Sequence, residues 1–409
     1  MKVALVSNIP HYHHLAQALD AAGMLAIYVT SPSPLGDEPA PALLPDYWRR
    51  KFEGRRLTGV ARARVRRLWL PEALQKALPR LGLVSPERAD WLNNHLFDRM
   101  AVRWVEDSEV VHFVSSVGLY CARAARRRGA KVICDSRQEH PAFLSRILTE
   151  EATRWGYRLE IPGKTYERKV LAEFACADYF FLPSRFAART FIDQGAAPER
   201  IYVLPYGVDL ERFHPKEEAG LRNQLLFVGQ LTPRKGIAYL LEAWRQLRLS
   251  NVELLLIGSV DPVIRPTLAR HEGAFRHLGA LPKLELRQYY SSALALVLPS
   301  LADAFPLVVL EAMACGCPAI VSENTGSAEV IEDGVNGFVV PIRDVEALAD
   351  RILRLQRDPE LRRRMGLEAE KTARRYTWEN YGRRAVEFYR RLGANLPGQD
   401  TLGVTCSRP

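Results

Sequence analysis

Residues 293–323 read ALALVLPSLADAFPLVVLEAMACGCPAIVSE, and the two apolar runs in that stretch decide the fold class. ALALVLPS (293–300) and PAIVSE (318–323) are rich in Ala, Ile, Leu and Val and show no period-two alternation with polar residues. A strand with one wet face alternates, whereas a strand buried on both faces does not. Both runs are therefore expected as strands of a parallel sheet covered by helices, with a helix beginning near Pro306 between them.

Outward from this unit, similar runs recur at LLFVGQL (225–231), VELLLIGS (252–259) and GFVVP (337–341), with helical patterns between. An earlier array comprises KVALVSNI (2–9), LAIYVT (25–30), VVHFV (110–114), KVICDS (131–136), YFFLPS (179–184) and IYVLPYG (201–207). Its helical patterns LAQALDAAG and LYCARAARRRG end in Gly23 and Gly129, where a helix takes a left-handed cap. Two such arrays predict an α/β chain of two Rossmann-like domains, residues 1–205 and 206–375, facing one cleft. The polar, turn-rich segment YGVDLERFHPKEEAGLRN near 206–222 reads as the linker. Beyond Pro341 the pattern is helical, ending in a helix over 376–393 and a frayed tail over 394–409.

With 409 residues, 47% hydrophobic and 25% charged, the chain has an ordinary globular composition, which excludes a disordered or collagen-like protein. No run approaches the roughly 18 apolar residues of a membrane-spanning helix. The opening MKVALVSNIPHYHH reads as a first strand and not a secretory signal. Cys121, Cys134, Cys176, Cys315, Cys317 and Cys406 are scattered without zinc-site spacing, and a reducing cytosol is the expected location. The formal net charge is +10, and WRRKFEGRRLTGVARARVRRLW (48–69) alone holds nine basic residues and one acid. Aromatic and aliphatic residues interleave with those cations, as in an element lying on the anionic inner face of a membrane. A solvated surface insertion fits the same composition. No RNA-recognition motif accompanies the patch, so nucleic acid is not expected as a partner.

Ligands of such folds bind outside the carboxyl ends of the strands. There the chain has Arg234 and Lys235 after LLFVGQL, and the helix start near Pro306 after ALALVLPS. Basic side chains plus free N–H groups at a helix N-terminus make a diphosphate site. Asp303 and Glu311 are eight residues apart, so both carboxylates can face one cleft and accept hydrogen bonds from sugar or ribose hydroxyls.

The run VLPSLADAFPLVVLEAMACGCPAIVS (297–322) resembles the C-terminal signature of family 4 glycosyltransferases, retaining enzymes of GT-B fold. FVGQLTPRKGIAYLLEAW (227–244), LPYGVDLERFHP (204–215), TGSAEVIEDGVNGFVVPIRDVEALADRI (325–352) and YTWENYGRRAVEFYRRL (376–392) resemble the family as well. The likeness extends from about residue 165 to 392; before that only the strand order carries it. It implies that the last helix crosses back to the first domain, which takes the acceptor, while the second takes a nucleotide sugar, UDP- or GDP-linked. Glu311 then matches the Glu that holds the ribose. Asp303 matches the acid that binds the donor sugar's 3- and 4-hydroxyls, together with the N–H groups of Ala304 and Phe305. Lys235 matches the diphosphate-binding Lys. Three positions depart from the pattern: Asp303 stands for Glu, Ala304 for Gly, and Gln230 for a second phosphate-binding Arg. Arg234 is the candidate replacement for that missing charge.

In the first domain NIPHYHH stands where the family has a glycine-rich loop, and His11 and His13 are candidates for the acceptor pocket. Polar capping of a helix starting at His14 is the alternative. His140 in RQEHPAF is the candidate for the family's His near the donor sugar, with Ser136 and Arg137 at the preceding strand's end. His112, inside a strand, is expected in the core. No Asp-x-Asp motif occurs, so neither a metal nor another cofactor is expected beside the nucleotide sugar. The resemblance implies attack by the acceptor hydroxyl of a sugar or lipid-linked glycan with retention at the anomeric carbon, as in surface polysaccharide or glycolipid assembly. A GT-B-fold epimerase acting on a sugar nucleotide and a non-catalytic nucleotide-sugar-binding subunit remain the alternatives. A glycosidase pair of carboxylates is disfavoured, since Asp303 and Glu311 share one edge of one domain.

Overall fold

The computed structural model describes residues 1–39, 49, 52–158, 164–216 and 222–394. Trp48, Arg50 and Lys51 of the basic segment, residues 217–221 of the linker, and the tail from 395 with Cys406 lie outside them.

The first sheet contains β1 (Val3–Ser7), β2 (Leu25–Thr30), β3 (Val65–Arg67), β4 (Val110–Val114), β5 (Lys131–Asp135), β6 (Tyr179–Leu182) and β7 (Ile201–Val203). Their order is β3-β2-β1-β4-β5-β6-β7, and every pairing is parallel. The second sheet contains β8 (Gln224–Val228), β9 (Glu253–Ile257), β10 (Arg276–His277), β11 (Ala295–Leu298), β12 (Ala319–Ser322) and β13 (Gly337–Val340). It repeats the arrangement as β10-β9-β8-β11-β12-β13, again all parallel. All five residues of β1 and of β4 are buried, as two-sided coverage by helices requires. Gly23 and Gly129 have φ of +70° and +76°, the left-handed conformation expected behind helices His13–Ala21 and Leu119–Arg127.

Strands β3 and β10 escaped the sequence pattern for a shared reason. Each is a short edge strand, VRR and RH, too short and too charged to form an apolar run. Strand β3 also revises the picture of the basic segment. Arg55 binds Glu72 through both carboxylate oxygens at 2.9 Å, Arg67 binds Glu38 at 2.8 Å, Arg64 pairs with Asp20, and Arg56 with Glu53. Arg66 lies over the Trp104 ring at 4.7 Å. Glu72, Asp20 and Glu38, from outside the segment, therefore offset three of its cations and fasten it to the sheet edge.

The last helix, Trp378–Gly393, returns to the first half. Thr377 caps it by accepting the N–H of Asn380 at 3.1 Å, and the Tyr202 hydroxyl donates to the carbonyl of Arg384 at 3.0 Å. Tyr389 reaches the buried His112 in β4. Gly382 permits close approach to helix His13–Ala21, because a Cβ there would lie 2.7 Å from the Cβ of Ala18. Gly382→Leu should cost about 1–3 kcal/mol by overpacking this contact. Thermal unfolding reads it directly, and a melting temperature equal to wild type would show that the crossing helix yields without cost.

The halves meet through several contacts. Ser184 donates to the carbonyl of Ala304 at 2.7 Å. Glu329 accepts the N–H groups of Arg185 and Phe186 at the start of helix Arg185–Ile192. Helix Pro141–Trp155 presents Glu151 to the Tyr239 hydroxyl at 2.8 Å and to Arg343 Nε at 2.7 Å. Leu144 and Ile147 of that helix pack with Tyr239, Leu301 and Ala302.

Candidate active site

In each sheet the strand order reverses about the first strand, between β1 and β4 and between β8 and β11. The loops leaving such a pair of strands diverge and open a crevice at their carboxyl ends. The loop after β8 carries Gln230, Arg234 and Lys235, and the loop after β11 carries Asp303 to Pro306. The topology thus delivers these sequence candidates to one place.

Gly236 sets the spacing of the two loops. Its φ is +68°, and a Cβ would lie 1.9 Å from the carbonyl oxygen of Pro299, so no other residue allows this approach. Lys235, immediately before it, forms an ion pair with Asp303. The backbone of Asp303 is pinned on both sides, donating to Asn324 O at 3.0 Å and accepting from Gly326 N at 2.7 Å. Asp303 is buried, with 8% of the residue exposed. Arg234 donates to the carbonyl of Ala302 at 2.9 Å. Among the described residues no hydrogen bond engages the N–H groups of Ala304 and Phe305. Pro306 precedes helix Leu307–Ala314, whose first N–H groups open toward the same crevice. Glu311, on that helix, is 4% exposed and accepts from Lys283 Nζ at 2.9 Å, while its second oxygen is buried without a partner. Gln230 is exposed.

From the first half, His11 packs between Tyr12 and Tyr206, with ring centroids 4.9 and 5.3 Å away, and its Nε2 is buried without a partner. Burial, then the charges of Arg137 and Lys283, hold its pKa well below the usual imidazole value, so the ring is neutral. Arg137 Nε and the Tyr206 hydroxyl are buried and unpartnered, and Tyr206 meets Phe305 edge-on at 5.9 Å. His11, Arg137 and Phe305 therefore converge. His13 does not join them: it packs on Tyr28 of β2, beside Arg55 and Arg56. His14 stacks on Trp378 at 4.3 Å. His140 caps helix Pro141–Trp155 by accepting the N–H of Ala142, and its ring contacts Phe174 and Phe191. Ser136 donates to the carbonyl of Gln138 at 3.1 Å, holding the turn after β5.

Sequence profiles of two families match the chain. "Glycosyl transferase 4-like domain" matches residues 10–207, and "Glycosyl transferases group 1" matches residues 210–372. A D-inositol 3-phosphate glycosyltransferase of Frankia alni is 32% identical over 305 residues, covering 67% of this chain and 71% of that protein. The chain belongs to the group 1 glycosyltransferases. An O-antigen chain mannosyltransferase B of Escherichia coli is 31% identical over 43% of this chain, a match spanning about half (48%) of its own length. The structure of Anabaena HepE in complex with UDP superposes with a TM-score of 0.66 at 16% identity, covering 95% of this chain and 100% of that one, which establishes the GT-B fold.

Three residues at the crevice of this group 1 glycosyltransferase were not found by sequence reasoning. Tyr206 lies within the segment read as a linker, Lys283 within ALPKLEL, and Glu139 between two residues that were singled out. No local pattern marks them, because each finds its partner far along the chain: Tyr206 meets His11 and Phe305, Lys283 pairs with Glu311, and Glu139 faces Arg234. The histidines carry a testable pH signature. Burial lowers the pKa of His13 to about 4, against 6.5 when unfolded. The unfolded chain then binds the extra proton as pH falls, so this group destabilises the fold increasingly from pH 6.5 down to 4. His13→Phe should gain stability relative to wild type over that window, by up to about 3 kcal/mol. Urea unfolding at pH 7 and pH 4.5 checks the sign, and a constant difference would remove His13 from the account.

Proposed function

We propose that this chain transfers a sugar with retention from a UDP- or GDP-linked donor to a hydroxyl of a sugar or lipid-linked glycan. The process is bacterial surface polysaccharide or glycolipid synthesis, at the cytoplasmic face of the membrane. The convergence of Lys235, Asp303 and Glu311 on one crevice carries this reading. Lys235, with Arg234, receives the diphosphate; Glu311 holds the ribose; Asp303 and the free N–H groups of Ala304 and Phe305 hold the sugar. The two carboxylates pair with Lys235 and Lys283, and donor binding exchanges these partners for hydroxyls and phosphate oxygens. The chain offers no Asp-x-Asp pair for a bridging metal, and charge developing on the leaving diphosphate falls to Lys235 and the N-terminus of helix Leu307–Ala314. The acceptor lies on the side of residues 1–205, against His11 and Arg137.

Two features support a membrane-bound acceptor. Helix Trp69–Arg80 begins with exposed Trp69 and Leu70 at the end of the basic segment, and the turn after it exposes Leu81 and Leu83. Among the described residues no helix is long and apolar enough to cross a membrane, so contact would be peripheral. The test is acceptor-dependent release of UDP or GDP from a nucleotide sugar, with the product anomer read by NMR. Release matched by an α-linked product from an α-linked donor fits the proposal. Consumption of donor without any acceptor would favour an epimerase, and binding without turnover a non-catalytic subunit.

A further inference from the structure

The crevice holds a buried carboxylate that none of these roles employs. Glu139 is 1% exposed, and neither of its oxygens has a hydrogen-bond partner among the described residues. A buried carboxylate without a hydrogen bond is costly, and the ion pair with Arg234 offsets that cost only in part, which leaves both oxygens free to accept from a ligand. Its surroundings identify the place. Arg234 Nη1 lies 3.8 Å from Glu139 Oε2, beyond hydrogen-bond length, and the charges of Asp303 and Lys235 act on the same carboxyl. Burial raises its pKa, opposed by Arg234. Glu139 therefore stands on the first half, opposite the residues that receive the donor on the second.

The turn that carries it is fixed at both ends. Ser136 donates its N–H to the carbonyl of Phe181 in β6 and its hydroxyl to the carbonyl of Gln138. The N–H of His140 donates to Thr190 Oγ1 at 2.9 Å, and its ring caps the next helix. Glu139 thus projects from a short turn anchored to strand and helix, which gives the preorganised geometry of a recognition group.

We propose that Glu139 is the first half's donor-sugar residue, hydrogen-bonding a hydroxyl of the transferred sugar across the crevice from Asp303. The assignment rests on the donor reading given above. A carboxyl facing a sugar can take one or two hydroxyl donors, and a site built to bond a hydroxyl rejects the sugar lacking it. The residue would then set which sugar is accepted, while nucleotide and diphosphate are held elsewhere. A two-domain crevice would thereby sense that the donor carries its sugar, since free nucleoside diphosphate brings Glu139 no hydrogen bond.

The test compares wild type with Glu139→Gln, which keeps shape and packing. Binding of UDP, GDP, UDP-glucose and GDP-mannose is measured by calorimetry, followed by mono-deoxy analogues of whichever sugar nucleotide binds. The expected result is unchanged affinity for the free nucleoside diphosphate and a loss of about ten- to a hundredfold for the sugar nucleotide. One deoxy position should weaken wild type yet leave Glu139→Gln no worse than it already is. If Glu139→Gln loses diphosphate and sugar nucleotide equally, the residue is only an interdomain counter-charge to Arg234 and the proposal fails. It fails too if no deoxy analogue shows altered sensitivity, or if Glu139→Gln does not fold while Glu139→Asp folds and binds sugar nucleotides as wild type does. Wild-type protein that binds none of the nucleotides would instead overturn the donor reading itself.

Discussion

Lys235→Met lowers kcat/KM for sugar transfer by about two to four orders of magnitude, the largest effect expected of any single substitution in this protein. The lysine is the one side-chain cation that the loop after β8 brings into direct contact with Asp303. Gln230, where the resembling family has arginine, brings no charge and is exposed. Arg234 is committed in part to the carbonyl of Ala302 and to the field of Glu139. The leaving diphosphate therefore has few other cations to stabilise it as charge develops. Methionine preserves the aliphatic stem and removes only the ammonium group. It also leaves Asp303 without its counter-ion, which should cost on the order of 1–3 kcal/mol of stability. Steady-state kinetics and thermal unfolding on the same preparation separate the two effects. A kcat/KM within threefold of wild type would place the diphosphate elsewhere.

Glu311→Ala comes second, with transfer reduced about a hundred- to ten-thousandfold if the carboxylate makes two hydrogen bonds to the ribose. The fold survives this change for a reason visible in the ion pair. Lys283 is 63% exposed, so it returns to water when Glu311 is lost. The loss should fall on donor binding, with the acceptor KM unchanged, and nucleoside diphosphate should compete less well in proportion. Glu311→Ala protein that is folded and turns over normally would remove the helix Leu307–Ala314 from the donor site.

What the sequence revealed and what it hid follow from where each residue finds its partners. Strands β1, β4, β8 and β11 announce themselves because burial on both faces writes a largely apolar run without period-two alternation. Strand β3 was concealed inside a basic segment whose charges looked unbalanced, since Glu72, Asp20 and Glu38 reach it from other elements. Lys235, Asp303 and Glu311 were legible because strand, turn and helix follow one another within the loops that carry them. Their lysine partner Lys283 was not, because it comes from a different crossover 28 residues away. Glu139 was harder still. Its ion-pair partner Arg234 belongs to the other half of the chain, and its burial without a hydrogen bond is visible only once the two halves are seen together. The histidines make the converse point. His13 is near His11 in sequence, but the helix that begins there turns its side chain toward Tyr28 and away from the crevice.

The central claim is that one crevice, formed at the β8 and β11 loops, binds a nucleotide sugar. Thermal unfolding of wild type, Lys235→Met and Glu311→Ala in the presence of UDP- and GDP-sugars tests it most directly. A donor at a hundred times its dissociation constant stabilises the fold by about 2.7 kcal/mol. The account predicts that at least one nucleotide sugar raises the wild-type melting temperature and that both variants, folded on their own, lose that rise. No stabilisation of wild type by any of them, or equal stabilisation of all three proteins, would contradict it.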